Sequence, residues 1–265
     1  MLKDITIGQH YPTGSMVHQL DPRTKIIGTF LFMAGLFFIN RFHAYLVVTG
    51  LLILVIFGSK VPLRYVIKGL RPLAVLIFVT FLINLLMTRG AVFFQLGPIS
   101  MTWEGLEQGI FMALRLIFLI VGTSMLTLTT SPITLTDGIE QLLNPFRRVG
   151  VPAHELAMMM TIALRFIPTL LEETDKIMKA QMARGADFES GNLIHRAQSL
   201  VPLLVPLFIS SFRRADDLAM AMEARCYRGG ENRTRMKALK WKPVDSAALL
   251  LMTAFTGIMA IMRWA

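Results

Sequence analysis

The sequence predicts an all-α integral membrane protein with about five transmembrane helices and a module of long helices outside the bilayer. Three observations lead to this fold class. Hydrophobic residues make up 54% of the 265 residues and charged residues only 17%, well below the roughly 25% of soluble domains. The mean hydropathy is +0.57. The apolar residues are gathered in long runs, and most basic residues lie between those runs.

Five apolar runs are the candidate membrane spans. A spanning helix needs about 20 apolar residues, and the last two runs meet that length. The first two runs are shorter and need snorkelling flanks or local thinning of the bilayer. The segment 40–43 between them is long enough only for a turn, which predicts a tight antiparallel hairpin. The five runs are 26–39, 44–57, 72–87, 110–130 and 244–262.

The positions of Lys and Arg predict the orientation of the chain. Cytoplasmic segments of membrane proteins are rich in these residues. With a cytoplasmic N-terminus, most of the 27 basic residues fall on the inner side, and the short loop 58–71 is densely basic. We therefore expect a cytoplasmic segment at 1–25, a membrane domain of four helices at 26–130, a cytoplasmic module at 131–243 and a final transmembrane helix at 244–265.

Two nearly identical strings stand out in the predicted cytoplasmic module. Residues 180–185 read Ala-Gln-Met-Ala-Arg-Gly, and residues 221–226 read Ala-Met-Glu-Ala-Arg-Cys. On a helix the two alanines of each string share a face, with the arginine at its edge. Small residues permit close approach of another protein, and a guanidinium binds carboxylate or carbonyl groups. Each string also fits an ordinary helix C-terminus, so docking and capping both stay open as interpretations.

Long helices are expected to lead into both strings. An amphipathic pattern at 156–181 predicts a helix that Gly185 ends. The run 200–209 in the following helix is too apolar for an exposed helix and too short to span a bilayer. We expect it at the membrane interface or beneath other helices. Pro202 and Pro206 in this run predict a bend or a break.

Three local features carry expectations of their own. Arg115, inside the fourth run, is expected to reach outward to the membrane boundary rather than to make a polar contact inside the helix bundle. Apolar residues flank a Gly-Pro pair within 92–102, which suggests a small β-hairpin. His18 and Asp21 are interpreted as a local turn or cap before Pro22 rather than as a metal site.

Several functions are disfavoured by the sequence. No Gly-x-x-x-x-Gly-Lys-Ser/Thr string is present, so the chain is not expected to hydrolyse ATP alone. The single cysteine, Cys226, rules out an internal disulfide framework, and the five histidines show no metal-ligand spacing. The formal charge of +10 is attributed to a membrane face rather than to nucleic-acid binding.

Acidic residues near the second string leave an enzyme as the alternative. Asp216, Asp217 and Glu223 resemble carboxylates that hold Mg²⁺ and a diphosphate, which would suit a membrane-embedded transferase acting on a lipid-linked substrate. No second acidic cluster on another span faces them. A channel or transporter that binds its own substrate is a third possibility, weakened by the scarcity of polar residues in the predicted spans.

Three segments resemble the transmembrane scaffold subunit, or T component, of energy-coupling factor (ECF) transporters, which are ABC-type importers of vitamins and metal ions. Residues 15–25 resemble the opening signature of the family. Residues 165–168 together with 180–185 resemble its first coupling helix. Residues 215–225 resemble its second coupling helix, and this run is long enough to be specific.

The resemblance implies a non-catalytic subunit in the plasma membrane of a prokaryote. Its implied partners are two ABC-type ATPase subunits, a substrate-binding integral membrane S component and the bilayer. ATP and magnesium would be bound by the ATPases, and this chain is expected to bind no metal or cofactor itself. The implied residues are the ATPase-docking set Ala183, Arg184, Gly185, Ala224 and Arg225, the supporting set Ala180, Ala221, Asp216, Asp217 and Glu223, and the signature residues Asp21, Pro22, Arg23 and Lys25.

One position departs from the family pattern. Cys226 stands where the second docking motif usually has glycine. Cysteine is small, so close approach of a partner survives. A left-handed backbone, which glycine adopts freely, is disfavoured for cysteine, so the geometry after Arg225 is where a difference is expected.

Overall fold

The computed structural model describes residues 10–96, 99–186, 188, 192–229 and 239–264, with side chains left out at 93–100 and 193–197. The chain divides into two compact units. The bundle unit comprises the described residues of 8–138 and 238–265, and the helix-pair unit comprises those of 139–237. The boundaries predicted from the sequence for the cytoplasmic module, 131 and 243, stay a prediction. The side of the membrane on which that module lies stays a prediction.

The bundle unit consists of helices and one two-stranded hairpin. A 3₁₀ turn at Arg71–Leu73 connects α4 to α5. Proline stands at the first helical position of α2 and α10, where its missing N–H removes no helical hydrogen bond. The elements are α1 Met16–Gln19, α2 Pro22–Phe37, α3 Phe42–Ser59, α4 Leu63–Leu70, α5 Ala74–Met87, β1 Val92–Leu96, β2 Ile99–Thr102, α6 Trp103–Thr129 and α10 Pro243–Trp264.

The helix-pair unit is built from two helices of about 30 residues. They are α8, Ala153–Ala183, and α9, Leu193–Ala224. The helix α7, Pro132–Leu143, and a 3₁₀ turn at Asn144–Val149 precede them. Of the bend or break expected at Pro202 and Pro206, the break does not occur, because α9 continues through both prolines.

Five helices among the described residues are long and apolar enough to cross a membrane. The number agrees with the prediction, but one member differs. Helix α2 has 16 residues, so the first predicted span is shorter than a usual transmembrane helix. The fifth is α8, which has the length and composition of a span but belongs to the segment predicted to be cytoplasmic. The five are Phe42–Ser59, Leu63–Met87, Trp103–Thr129, Ala153–Ala183 and Pro243–Trp264.

The core of the bundle unit lies where α2, α3, α6 and α10 meet. Leu36 and Val48 are fully buried, and Met259 is almost so. The rings of Phe32 and Phe255 stack at 5.9 Å between centroids. Glycines allow this packing, because a Cβ at Gly122 would overlap the Phe32 ring. Residue size at the helix contacts therefore fixes how closely these helices approach.

The predicted β-hairpin is confirmed. Strands β1 and β2 pair in antiparallel fashion, with Val92 opposite Thr102 and Leu96 opposite Ile99. The Gly-Pro pair itself lies outside the described residues. Thr102 then caps α6, because its hydroxyl accepts a hydrogen bond from the Gly105 N–H at 3.0 Å.

Arg115 makes a polar contact inside the bundle unit, which was the less expected of its two interpretations. Its guanidinium donates to the carbonyl oxygen of Ile39 at 2.7 Å and lies 5.0 Å from the centre of the Phe111 ring. Ile39 follows the end of α2, where carbonyl groups lack helical partners. A charge inside the bundle is thus held by a free carbonyl and an aromatic face.

We expect Gly122→Ala to destabilise the protein by about 1–3 kcal/mol, since overpacking a filled core has that cost. Phe32 has only 3% of its surface exposed and has little room to move away. The matched control is Gly257→Ala, where nothing lies within 4 Å of an added Cβ. The control should be neutral or slightly stabilising, because alanine favours helices. Thermal unfolding in detergent measures both, and equal melting temperatures would contradict the close approach.

Candidate functional site

The two strings have the same backbone geometry. Helix α8 ends at Ala183 and helix α9 at Ala224, so Arg184 and Arg225 are the C-cap residues. The residue after each arginine is left-handed, with φ of 90° at Gly185 and 55° at Cys226. The difference expected after Arg225 is not found, because Cys226 adopts the left-handed conformation that glycine has in the first string.

The hydrogen bonds at the two ends correspond one to one. After α8, the N–H of Gly185 donates to the carbonyl of Met182 and that of Ala186 to Gln181, both at 3.0 Å. After α9, the N–H of Cys226 donates to Glu223 at 2.8 Å and that of Tyr227 to Met222 at 3.1 Å. This pair of bonds defines a Schellman cap. The capping interpretation is therefore correct, and it leaves the arginine side chains available for docking.

All ten docking and supporting residues lie on the surface of the helix-pair unit. The small side chains and both guanidinium groups are exposed, as are the nearby carboxylates. Neither arginine takes part in an ion pair among the described residues. The exposed residues are Ala180, Ala183, Arg184, Gly185, Asp216, Asp217, Ala221, Glu223, Ala224 and Arg225.

Contacts along the helix pair show that α8 and α9 run antiparallel. The Gln181 side chain donates to the Pro202 carbonyl at 3.4 Å. Arg214 pairs with Glu173 at 2.9 Å. At the far end, the Tyr227 hydroxyl lies 3.4 Å from a ring nitrogen of His154.

The two docking strings therefore lie at opposite ends of the pair. The first string follows Gln181, which contacts α9 at Pro202. Arg225 lies roughly 35 Å further along α9, at a rise of 1.5 Å per residue. Two separate proteins of ordinary size have room to bind the two ends at once.

Helix α9 carries apolar side chains that the helix-pair unit leaves uncovered. Phe208 is 68% exposed and Leu204 57%. Other helices of this unit do not cover the run 200–209, where only Leu203 is buried, and its expected position at the membrane interface stays a prediction. An exposed apolar row of this length is typical of a protein or membrane contact. It runs through Val201, Leu204, Val205, Phe208, Ile209 and Phe212.

The N-terminal signature residues form a second cluster, in the bundle unit. Asp21 caps α2 by accepting from the Arg23 N–H at 2.9 Å, and its carboxylate pairs with the Arg23 guanidinium at 3.0 Å. Pro22 is the first residue of α2. The Lys25 ammonium group donates to the carbonyl oxygens of His18 and Thr129 at 3.1 and 2.9 Å. The predicted capping role of Asp21 is confirmed.

Asp245, at the start of α10, completes this cluster and was missed by the sequence analysis. Its side chain is fully buried. One carboxylate oxygen accepts from the Asp21 N–H and the other from the Lys242 N–H, each at 2.8 Å. Its charge also stabilises the positive charges of Arg23 and Lys25. An acidic residue at the mouth of an apolar run was the signal available in the sequence.

Burial and hydrogen bonding set the protonation states in this cluster. Burial alone would raise the pKa of Asp21, but the hydrogen bonds and charge of Arg23 outweigh it and hold the pKa below its usual value. Burial lowers the pKa of His18, against an opposing hydrogen bond to the Tyr11 carbonyl. Among the described residues, no three His, Cys, Asp or Glu side chains are grouped to hold a metal.

We expect Cys226→Gly to raise the free energy of unfolding by up to about 1 kcal/mol. Left-handed backbone costs an L-residue about 1–2 kcal/mol, and the greater freedom of glycine in the unfolded chain offsets part of the gain. The matched control is Gly185→Ala, which should destabilise the equivalent cap although nothing lies within 4 Å of an added Cβ. Melting temperatures in detergent should move in opposite directions, and a shift of both in the same direction would contradict the equivalence of the two caps.

We expect Asp245→Asn to lower the free energy of unfolding by about 3–5 kcal/mol, as when one partner of a buried charge cluster is removed. The amide NH₂ would face a backbone N–H that now has a carboxylate oxygen as acceptor. Asp217→Asn, at an exposed site, is the control and should change little. A melting temperature for Asp245→Asn within a degree of the parent protein would refute the role given to this carboxylate.

Comparison with known proteins identifies the family of this chain. The chain matches the family model CbiQ, described as cobalt transport protein, over residues 13–236. Three similar proteins are each named energy-coupling factor transporter transmembrane protein EcfT. The one from Thermosediminibacter oceani is 65% identical over 98% of this chain and 97% of its own length. The one from Clostridium kluyveri is 58% identical over 99% and 98%, and the one from Bacillus subtilis 48% identical over 99% and 100%. The chain therefore belongs to the CbiQ family, as a transmembrane component of energy-coupling factor transporters.

Proposed function

We propose that this protein is the scaffold that couples ATP binding and hydrolysis by two cytoplasmic ATPase subunits to a substrate-binding S component in the membrane, for uptake of vitamins or metal ions. The observation that carries the proposal is the pair of exposed, arginine-capped helix ends. They have the same backbone geometry and lie at opposite ends of one helix pair. The membrane-embedded transferase has no comparable support, because the similar proteins are named as transporter components.

Each helix end is suited to bind one ATPase subunit. Arg184 and Arg225 are free to form charge-assisted hydrogen bonds to carboxylate or carbonyl groups of a groove. The exposed alanines beside them let the groove close over the helix. The left-handed residue after each arginine turns the chain away at once, so the following segment does not obstruct the docked surface.

The helix pair is suited to transmit movement between its ends. Glu173 of α8 accepts hydrogen bonds from Ser210 and pairs with Arg214, both on α9. The Gln181 and His154 contacts tie the helices at points on either side of it. A displacement of one docking end therefore moves both helices together, because these side-chain contacts connect them. The ATP and magnesium that drive the displacement belong to the ATPases.

The uncovered apolar row on α9 is the proposed contact for the S component. Its phenylalanines and aliphatic side chains match the apolar surface of a membrane partner. With the N-terminus and the helix-pair unit on the cytoplasmic side of a prokaryotic plasma membrane, as the basic residues predict, this row lies near the inner membrane boundary. No nucleic acid has a part in this function.

We expect the double substitution Arg184→Ala and Arg225→Ala to release the ATPase subunits. Truncating one member of a buried charged pair costs about 2–5 kcal/mol, which lowers affinity at least tenfold for each site. The measurement is the amount of ATPase that co-purifies with the tagged chain in mild detergent. Arg213→Ala with Lys176→Ala removes two exposed charges from the same helices and should retain the ATPases. Full retention by the Arg184 and Arg225 variant would refute the proposal.

A further inference from the structure

We propose that the basic face of α4 and the apolar cleft beside it bind one anionic phospholipid. Arg64, Lys68 and Arg71 recur at intervals of four and three, so they share one face of the helix. All three are exposed, whereas Val66 on the opposite face is 5% exposed and belongs to the core. The function proposed above does not use this surface.

Helix α4 is held so that its basic face cannot turn inward. Val66 packs into the core cluster that includes Val121 and Met125 of α6. A Cβ at Gly69 would lie 3.1 Å from the Ser124 hydroxyl, also on α6. With two points of close contact, the rotation of α4 about its axis is fixed, and the three cations are displayed at a set position.

Carboxylates are absent from the stretch of sequence that contains these three cations. The sequence contains no Asp or Glu between Asp21 and Glu104. Asp21 and Asp245 are committed to the Arg23 and Lys25 cluster. No ion pair found among the described residues involves Arg64, Lys68 or Arg71. All three cations are therefore available to pair with an anionic ligand.

An apolar cleft of about 1070 Å³ adjoins the cations. Ile77, Phe78 and Phe81 of α5 line it on one side, and Ala113 and Ile117 of α6 line it on the other. The volume is at the upper limit of the range for small-molecule sites, about 300–1,000 Å³. This lining fits a ligand that has a negatively charged group at one end and a long apolar body.

A phospholipid satisfies both requirements in one molecule. Its phosphate would pair with the three cations, and an acyl chain would lie along α5 and α6. Amphipathic helices with basic residues are typical of the membrane boundary, and basic clusters on the cytoplasmic side bind anionic lipid head groups. The positive-inside pattern puts α4 on that side. A soluble phosphate would leave the cleft empty, and an apolar protein segment would leave the charges unpaired.

Native mass spectrometry of the full-length protein tests this site. The protein in detergent is mixed with equal amounts of phosphatidylglycerol and phosphatidylcholine, and the lipid-bound species are counted. We expect one phosphatidylglycerol to bind about tenfold to a hundredfold more tightly than phosphatidylcholine, from three cations near the lipid head group. Arg64→Gln, Lys68→Gln and Arg71→Gln together should abolish this preference without changing the melting temperature.

The charge-matched control is Arg165→Gln, Lys176→Gln and Arg213→Gln, which removes three exposed cations from the helix-pair unit and should keep the preference. Ala113→Phe, which fills the cleft and leaves the cations in place, should also weaken phosphatidylglycerol binding. Excess glycerol 3-phosphate should not displace the lipid. Equal binding of the two lipids, loss of preference in the control, or displacement by glycerol 3-phosphate would each overturn the proposal.

Discussion

A single buried carboxylate connects the N-terminal and C-terminal segments of the bundle unit, at the starts of α2 and α10. Asp245 accepts one hydrogen bond from the backbone just before α2 and another from the backbone just before α10. Because both helices start at the same carboxylate, the first residues of α2 and α10 are held side by side. Further along, the Thr256 hydroxyl donates to the Leu31 carbonyl, and Phe255 fills the space that Gly35 leaves. Arg23 and Lys25 compensate the charge, so the cost of burying it is not left unopposed.

The helix-pair unit follows a different design. Few of its side chains are buried, and its organisation comes from polar contacts spaced along two antiparallel helices. Helices α8 and α9 end in the same way, with an arginine as the C-cap and a left-handed residue after it. The repetition extends to individual hydrogen bonds although glycine occurs at only one of the two positions. At Cys226 the geometry of the turn is kept at the cost of an unfavourable backbone conformation.

The sequence predicted the elements whose signals are local. Apolar runs located α3, α6 and α10, the Gly-Pro pair located the hairpin, and Gly185 marked the end of α8. Features that depend on distant partners were not predicted. The contact of Arg115 was not expected, because its partner, the Ile39 carbonyl, follows the end of α2 and comes close to α6 only in the folded protein. Asp245 was overlooked since its partner, the backbone of Asp21, lies more than two hundred residues away in the chain.

The uncovered apolar row on α9 has a consequence for the life of the protein in the cell. A copy that is synthesised without its partners would present Leu204, Phe208 and Phe212 to chaperones and to membrane proteases. Such surfaces promote self-association, so surplus copies would be removed or would aggregate. If the proposed membrane partner covers this row, the amount of the subunit that persists would follow the supply of that partner.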